Sequence, residues 1–291
     1  MLTFVYPNTS DLNRGGRGGL KQRTTRARAL GCGYVEVPAD FVKNKTEVAI
    51  TGLGLGSFLS AEATNALYDA GSSSPSSPYI LHTEPSLPRT DGYGLSRQAE
   101  IRWRDPAWVN GLCEMLAGIG NRLGSPPAAI EIHPGDSRNS LDDLIRSMRS
   151  IQDRLGAAFS TPPLVLLENR TGQFVSTGTD LAAFAKRVVT EGEMAAGAGV
   201  VLDVQQLFTQ TKSKFLEQLR LVPREFVLGL HVHTKHHAPS ETDAIPWAEV
   251  FRWVGETSGD LLVNPEVLLA SEVEKTIAFC RRMMGLPPYA A

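Results

Sequence analysis

The amino-acid sequence predicts a single (β/α)8 barrel, and three observations predict it. Eight short β-branched or leucine-rich runs recur along the chain, nearly every one is followed by a segment with helical spacing, and the length of 291 residues is one that such barrels fill as one domain. Strand and helix in alternation give a parallel sheet covered by helices, and eight units are enough to close it.

The first strand is read at Leu2–Tyr6, ahead of a helix near residues 19–31 that carries Lys21, Arg23, Arg26 and Arg28. Tyr34–Val37 is the second strand. From Ala49 to Pro78 the periodicity breaks into Gly-Leu-Gly-Leu-Gly and a serine and proline run, which reads as an elaborated loop within the single domain 1–291. Regular alternation then resumes. Strands are expected at Tyr79–His82, Ala129–His133, Leu164–Glu168, Val200–Asp203, Val227–His233 and Leu261–Val267. Helices are expected near 107–123, 139–157, 178–191, 211–221, 246–256 and 271–284.

Bulk composition narrows the class. The formal net charge is -2, so no global basic character argues for a nucleic-acid partner. Cys32, Cys113 and Cys280 are odd in number and form no CxxC pair, which fits reduced packing thiols of a cytosolic protein. The chain starts directly on a strand-like run, and it has no apolar stretch of membrane-spanning length. The expectation is a soluble cytoplasmic protein with no membrane partner.

In a βα barrel all strands point the same way, so the loops at their carboxyl ends converge on one mouth, where active sites lie. Six of the eight predicted strands end there in a side chain that can bind metal: His82, His133, Glu168, Asp203, the pair His231 and His233, and Glu266. Period-two alternation places His231 and His233 on one face. Carboxylates gathered in a confined mouth repel one another, and imidazoles there lose water; a divalent cation relieves both. Mixed imidazole and carboxylate donors suit zinc, manganese, iron or cobalt.

These residues resemble the xylose-isomerase-like barrel superfamily, which includes sugar isomerases, sugar epimerases and endonuclease IV (the AP endonuclease family 2 fold). The marks run over nearly the whole chain: Gly18-Gly19-Leu20, Phe41-Val42-Lys43-Asn44, His133-Pro134-Gly135, Glu168-Asn169 with Gly172, Asp203, the His231 strand and Glu266. By position, the resemblance implies a four-ligand metal site of Glu168, Asp203, His231 and Glu266. His82 and His133 match two histidines that join the glutamate at a further metal in endonuclease IV, so it implies one or two ions per chain. The departures are as informative. Gln206 stands where a family histidine is usual, and Asp243-Ala244-Ile245 stands where the nucleases need Asp-x-His. Thr46, Pro85 and Ser86 occupy the places of side chains that enter damaged DNA, so the usual wedge is missing.

The resemblance thus implies an isomerase or epimerase acting on a small sugar-like hydroxy-carbonyl substrate. Glu168 and Glu266 would exchange a proton as base and acid across a metal-stabilised enediolate. His233, His237, Gln206 and Glu84 are candidate substrate contacts, with Glu36 a further polar neighbour. A metal-dependent phosphodiesterase of the AP endonuclease type ranks second, supported by His82 and His133 and by basic residues from Arg14 to Arg28 that could meet phosphates. A multinuclear iron oxygenase, suggested by Asp203-Val204-Gln205-Gln206, ranks third, and a barrel that only binds a ligand ranks last.

Overall fold

The computed structural model describes residues 2–9, 20–39, 78–83, 86–88, 95–98, 101–190, 197–256 and 259–288. Most of the predicted 49–78 loop, together with Glu84, Lys43, Asn44, Thr46 and the Arg14–Arg17 segment, lies outside them. Eight parallel strands close a barrel in chain order: β1 (Leu2–Tyr6), β2 (Tyr34–Pro38), β3 (Tyr79–His82), β6 (Ala129–Ile132), β7 (Leu164–Glu168), β8 (Ala198–Asp203), β9 (Val227–His231) and β10 (Leu261–Asn264). Closure comes from β1, which pairs with both β2 and β10.

Helices cover the outside: α1 (Leu20–Ala29), α2 (Pro106–Leu123), α3 (Leu141–Phe159), α4 (Gly178–Thr190), α5 (Val204–Thr211), α6 (Phe215–Leu221), α7 (Trp247–Gly255) and α8 (Ala270–Met283). Local chemistry starts several of them. The Asp105 carboxylate caps α2 by accepting from the Ala107 and Trp108 amides, and Ser140 with Asp143 forms a capping box on α3. Among the described residues no helix is long and apolar enough to cross a membrane. Cys113 and Cys280 are buried and Cys32 half-buried, all as thiols, in keeping with packing roles.

The structure departs from the predicted elements in three places. A short antiparallel hairpin, β4 (Ser86–Pro88) with β5 (Leu95–Gln98), follows β3. Helix α5 begins immediately after Asp203, whose own carboxylate caps it by accepting from the Gln206 amide at 2.8 Å. Strands β9 and β10 end at His231 and Asn264, earlier than their apolar runs suggest. Pro265 has no N–H to continue the ladder. After Val232 the chain turns back through Thr234 and His237, with Lys235 and His236 at φ of 51° and 60°.

Two packing zones follow from strand periodicity. The main core lies between sheet and helices, while Val5, Ile80, Ala129, Leu166 and Val201 form a separate buried cluster inside the barrel. Gly229 belongs to this crowded interior, since a Cβ there would sit 2.8 Å from a Val201 methyl. Two residues further along the same strands come His82, Glu131, Glu168, Asp203 and His231, all buried. An apolar plug thus forms the floor of a polar mouth.

Candidate metal centre

The polar mouth is built from strand ends and held by neighbouring backbone. Asn169 clamps β7 to β8: its side-chain N–H donates to the Asp203 carbonyl at 3.0 Å and its oxygen accepts from the Asp203 amide at 2.9 Å. The Trp103 indole donates to the His133 carbonyl at 3.1 Å, and Thr83 donates to the Glu131 carbonyl at 2.8 Å. These bonds fix the main chain beneath Glu168, Asp203, His133 and Glu131.

Three donor atoms converge at one point. His82 Nε2 lies 3.3 Å from His133 Nε2 and 3.2 Å from a Glu168 oxygen, which is itself 3.1 Å from His133 Nε2. A four-coordinate ion with bonds of about 2.0 Å sets its ligand atoms about 3.3 Å apart, so this triangle fits one face of such a site. The far side of His82 agrees. Its Nδ1 donates to Glu36 at 2.9 Å, and Glu36 is in turn held by Asn264 Nδ2 at 2.9 Å and the Asn8 amide at 3.1 Å. A carboxylate on Nδ1 keeps the proton there and leaves the neutral ring's lone pair on Nε2, the usual support of a metal-binding histidine.

A second group adjoins it through Glu168. His231 Nδ1 is 3.7 Å from Glu168 and 3.5 Å from Glu266, while its Nε2 faces Glu131 at 3.3 Å. His233 Nε2 stands 3.4 Å from Asp203 and 2.9 Å from Glu266. Glu168, Asp203 and His231 can present one atom each within 4.8 Å of one another, and so can His233, His236 and Glu266. Buried oxygens of Glu131, Glu168 and Glu266 and both nitrogens of His231 lie near opposite charge yet off hydrogen-bond geometry. Buried polar atoms left in this way are costly, and a cation is the partner that would satisfy several together.

The acid–base balance points the same way. Burial would depress His82, but hydrogen bonds and charge from Glu168 and Glu36 hold it well above the usual imidazole range. His231 is likewise raised against burial by the charges of Glu131 and Glu168, and His233 is raised to about 10 against burial by Asp203 and Glu266. Burial would raise Glu168 and Glu266, yet neighbouring imidazoles hold both well below the ordinary carboxylate range. His133 differs: burial lowers it, and the charge of Arg170 adds to the effect. A metal ion entering this mouth therefore displaces protons from imidazoles.

The predicted residues divide into those at the mouth and those away from it. His82, His133, Glu168, Asp203, His231, His233 and Glu266 converge. Gln206 borders the mouth, but its side-chain oxygen accepts from the Thr171 amide at 3.1 Å, which ties it to the loop after β7. His237 is exposed on the rim and faces Glu272 at 3.2 Å. Asp243 serves a turn, accepting from Thr234 at 2.6 Å and from the Ser240 amide at 2.8 Å, while Ile245 is buried and apolar. Sequence reading did not single out Glu131, Arg170, His236 or Asn264. Glu131 alone had a signal, since it precedes His133 by two residues on an alternating strand.

Comparison with known proteins extends the fold assignment. No protein-family model matches the sequence, and no curated protein sequence matches it significantly. Solved structures do match across almost the whole chain. AP endonuclease, family 2 from Brucella melitensis is 12% identical with a TM-score of 0.57, covering 96% of this chain and 96% of its own. D-psicose 3-epimerase from Clostridium cellulolyticum H10, solved with D-tagatose, is 11% identical with a TM-score of 0.54, covering 97% and 98%. IolI protein with a bound zinc atom is 12% identical with a TM-score of 0.51, covering 97% and 95%. The chain shares its closed (β/α)8 barrel fold with these proteins. At these identities the likeness speaks for the fold, and the chemistry has to come from the mouth itself.

Proposed function

We propose that this chain is a metal-dependent isomerase or epimerase acting on a small sugar-like hydroxy-carbonyl compound. The observation that carries the reading is the grouping of Glu168, Asp203 and His231 at the barrel mouth, with Glu266 3.5 Å from His231 Nδ1 and with buried oxygens of Glu168 and Glu266 off hydrogen-bond geometry. Those four residues would hold the ion, and His82 and His133 form a second donor set that shares Glu168. A divalent ion bound there would supply Lewis acidity to a substrate carbonyl and its neighbouring hydroxyl.

The chain's own groups do the rest. Glu168 and Glu266 both approach His231 Nδ1, at 3.7 and 3.5 Å, so two carboxylates face one small space. One, as the carboxylate, takes the proton from the substrate carbon, and the other, entering the turnover as the protonated acid, gives its own proton to the opposite face or to the adjacent carbon, so that the two end with their protonation states exchanged. His233 aims its Nε2 at Asp203 and Glu266 and can donate to a substrate oxygen that enters between them. Leu166 and Val201 below, and Trp103 behind His133, keep bulk water from the reacting carbon.

The test is solvent exchange at carbon. With zinc, manganese or cobalt present in D2O, a ketohexose such as D-tagatose or D-allulose should gain deuterium beside its carbonyl, read by NMR. The second reading, a phosphodiesterase of the AP endonuclease type, draws on the His82, His133 and Glu168 set. Strand scission of an abasic-site duplex without any carbon exchange in sugars would replace the first reading with the second.

A further inference from the structure

Arg170, two residues beyond Glu168, is a cation set among metal-binding donors. Its Nη1 lies 3.2 Å from His133 Nε2 and 3.8 Å from Glu168 Oε1, and only 15% of its side chain is exposed. We propose that the Arg170 guanidinium holds the place of a second divalent ion, so that the mouth takes one ion per chain and a second only when Arg170 is removed. The proposal rests on the metal-binding reading of the mouth given above.

The argument begins with a single lone pair. A guanidinium only donates, so a bond from Arg170 to His133 Nε2 uses that nitrogen's lone pair and displaces the proton that would otherwise face Glu168 Oε2 at 3.1 Å. That is the electron pair an ion would need from His133 in the set His82, His133 and Glu168. One nitrogen cannot serve both partners. Charge adds to the conflict: a divalent ion bound to His133 would share a low-dielectric pocket with a guanidinium one ligand away.

The loop fixes Arg170 in this position. Its amide donates to the Val175 carbonyl at 3.1 Å and its carbonyl accepts from the Gln173 amide at 3.1 Å. Next to it, Thr171 is bound through both amide and hydroxyl to Gln206, at 3.1 and 3.0 Å, and Gly172 takes a φ of 76° to make the turn. Gln206 thereby supports the residue that would exclude the second ion. The first donor set does not draw on His133: Glu266 lies 3.5 Å from His231 Nδ1 and 2.9 Å from His233 Nε2, and Asp203 lies 3.4 Å from His233 Nε2.

Metal counting tests the proposal without reference to turnover. Wild-type protein, Arg170→Gln and the double variant Arg170→Gln with His133→Ala are stripped by chelator, dialysed against zinc and analysed by atomic emission. Circular dichroism melts establish that each is folded. We expect one zinc per chain in the wild type, two in Arg170→Gln and one again in the double variant, with the second ion bound at least tenfold more tightly once the arginine is gone. Two zinc ions in the wild type, or one in folded Arg170→Gln, would overturn the proposal and leave the metal reading intact. No zinc in the wild type would overturn both. If Arg170→Gln does not fold, Arg170→Met keeps the aliphatic stem, removes the charge and carries the same expectation.

Discussion

Residues two apart on the same strands do opposite work in this barrel. Ile80, Leu166 and Val201 fill the interior, whereas His82, Glu168 and Asp203, one step nearer the carboxyl end, gather charge in a buried space. The lower layer gains stability from close apolar contact. The upper layer loses it, because its donors and acceptors face one another and are only partly matched by hydrogen bonds. A fold keeps such an arrangement where binding supplies the missing partner, so the contrast between layers locates the working end of the molecule more firmly than overall shape does.

The contrast predicts separable effects, and the largest lies in the floor. Leu166→Ala should lower unfolding stability by about 2–5 kcal/mol, read by denaturant titration, while zinc content per folded chain stays unchanged. Its neighbour Glu168→Gln should act first on the metal, with retention of zinc through dialysis falling by roughly 100-fold per folded chain. On the proposed reading Glu168 is a direct ligand, so its removal should cost at least what loss of an outer partner costs. If the two variants fail in the same way, the layers are not independent and the comparison is wrong. A smaller effect is expected one shell out: Glu36→Gln removes the carboxylate that orients His82 and should weaken binding at the His82 side by about 10-fold. Isothermal titration on an Arg170→Gln background reads that term directly, because there the His82 set is expected to be open.

How much of this was legible beforehand follows the same division. Strand ends are cheap to read, since an alternating apolar run closing on His, Glu or Asp states both the element and the face, as in Leu164–Glu168 and Tyr79–His82. Partners are not. Nothing in the chain's order says that Glu36 and Asn264, separated by 228 positions, meet behind His82, because barrel closure brings together the first and last strands. Arg170 was invisible for another reason: it sits in a turn, where direction is set by Gly172 and by the Thr171 contacts with Gln206, and no periodicity constrains where its side chain goes. Helix α5 was missed because Asp203 serves both as a strand end and as a helix cap, and the strand signal is the stronger of the two.

The smallest expected effect tests the rim that carries His233. Asp243 gathers the Thr234 hydroxyl, the Ser240 amide and the Trp247 indole, and so closes the turn in which Lys235 and His236 take positive φ. Burial would raise its pKa, but the bonds from Thr234 and Ser240 hold it below the usual carboxylate value. A carboxylate with a lowered folded pKa stabilises the protein above its unfolded pKa, and that stability is lost as pH falls through the folded value. Asp243→Asn should therefore cost about 1 kcal/mol at pH 7, a modest figure because the group is partly solvated. The gap between wild-type and variant melting temperatures should close in acid, as Asp243 takes up its proton. Titration of the mouth residues is common to both proteins and cancels in that difference. A gap that stays constant from neutral pH into acid would mean that the turn is held by shape, with the charge of Asp243 irrelevant to how the rim presents His233.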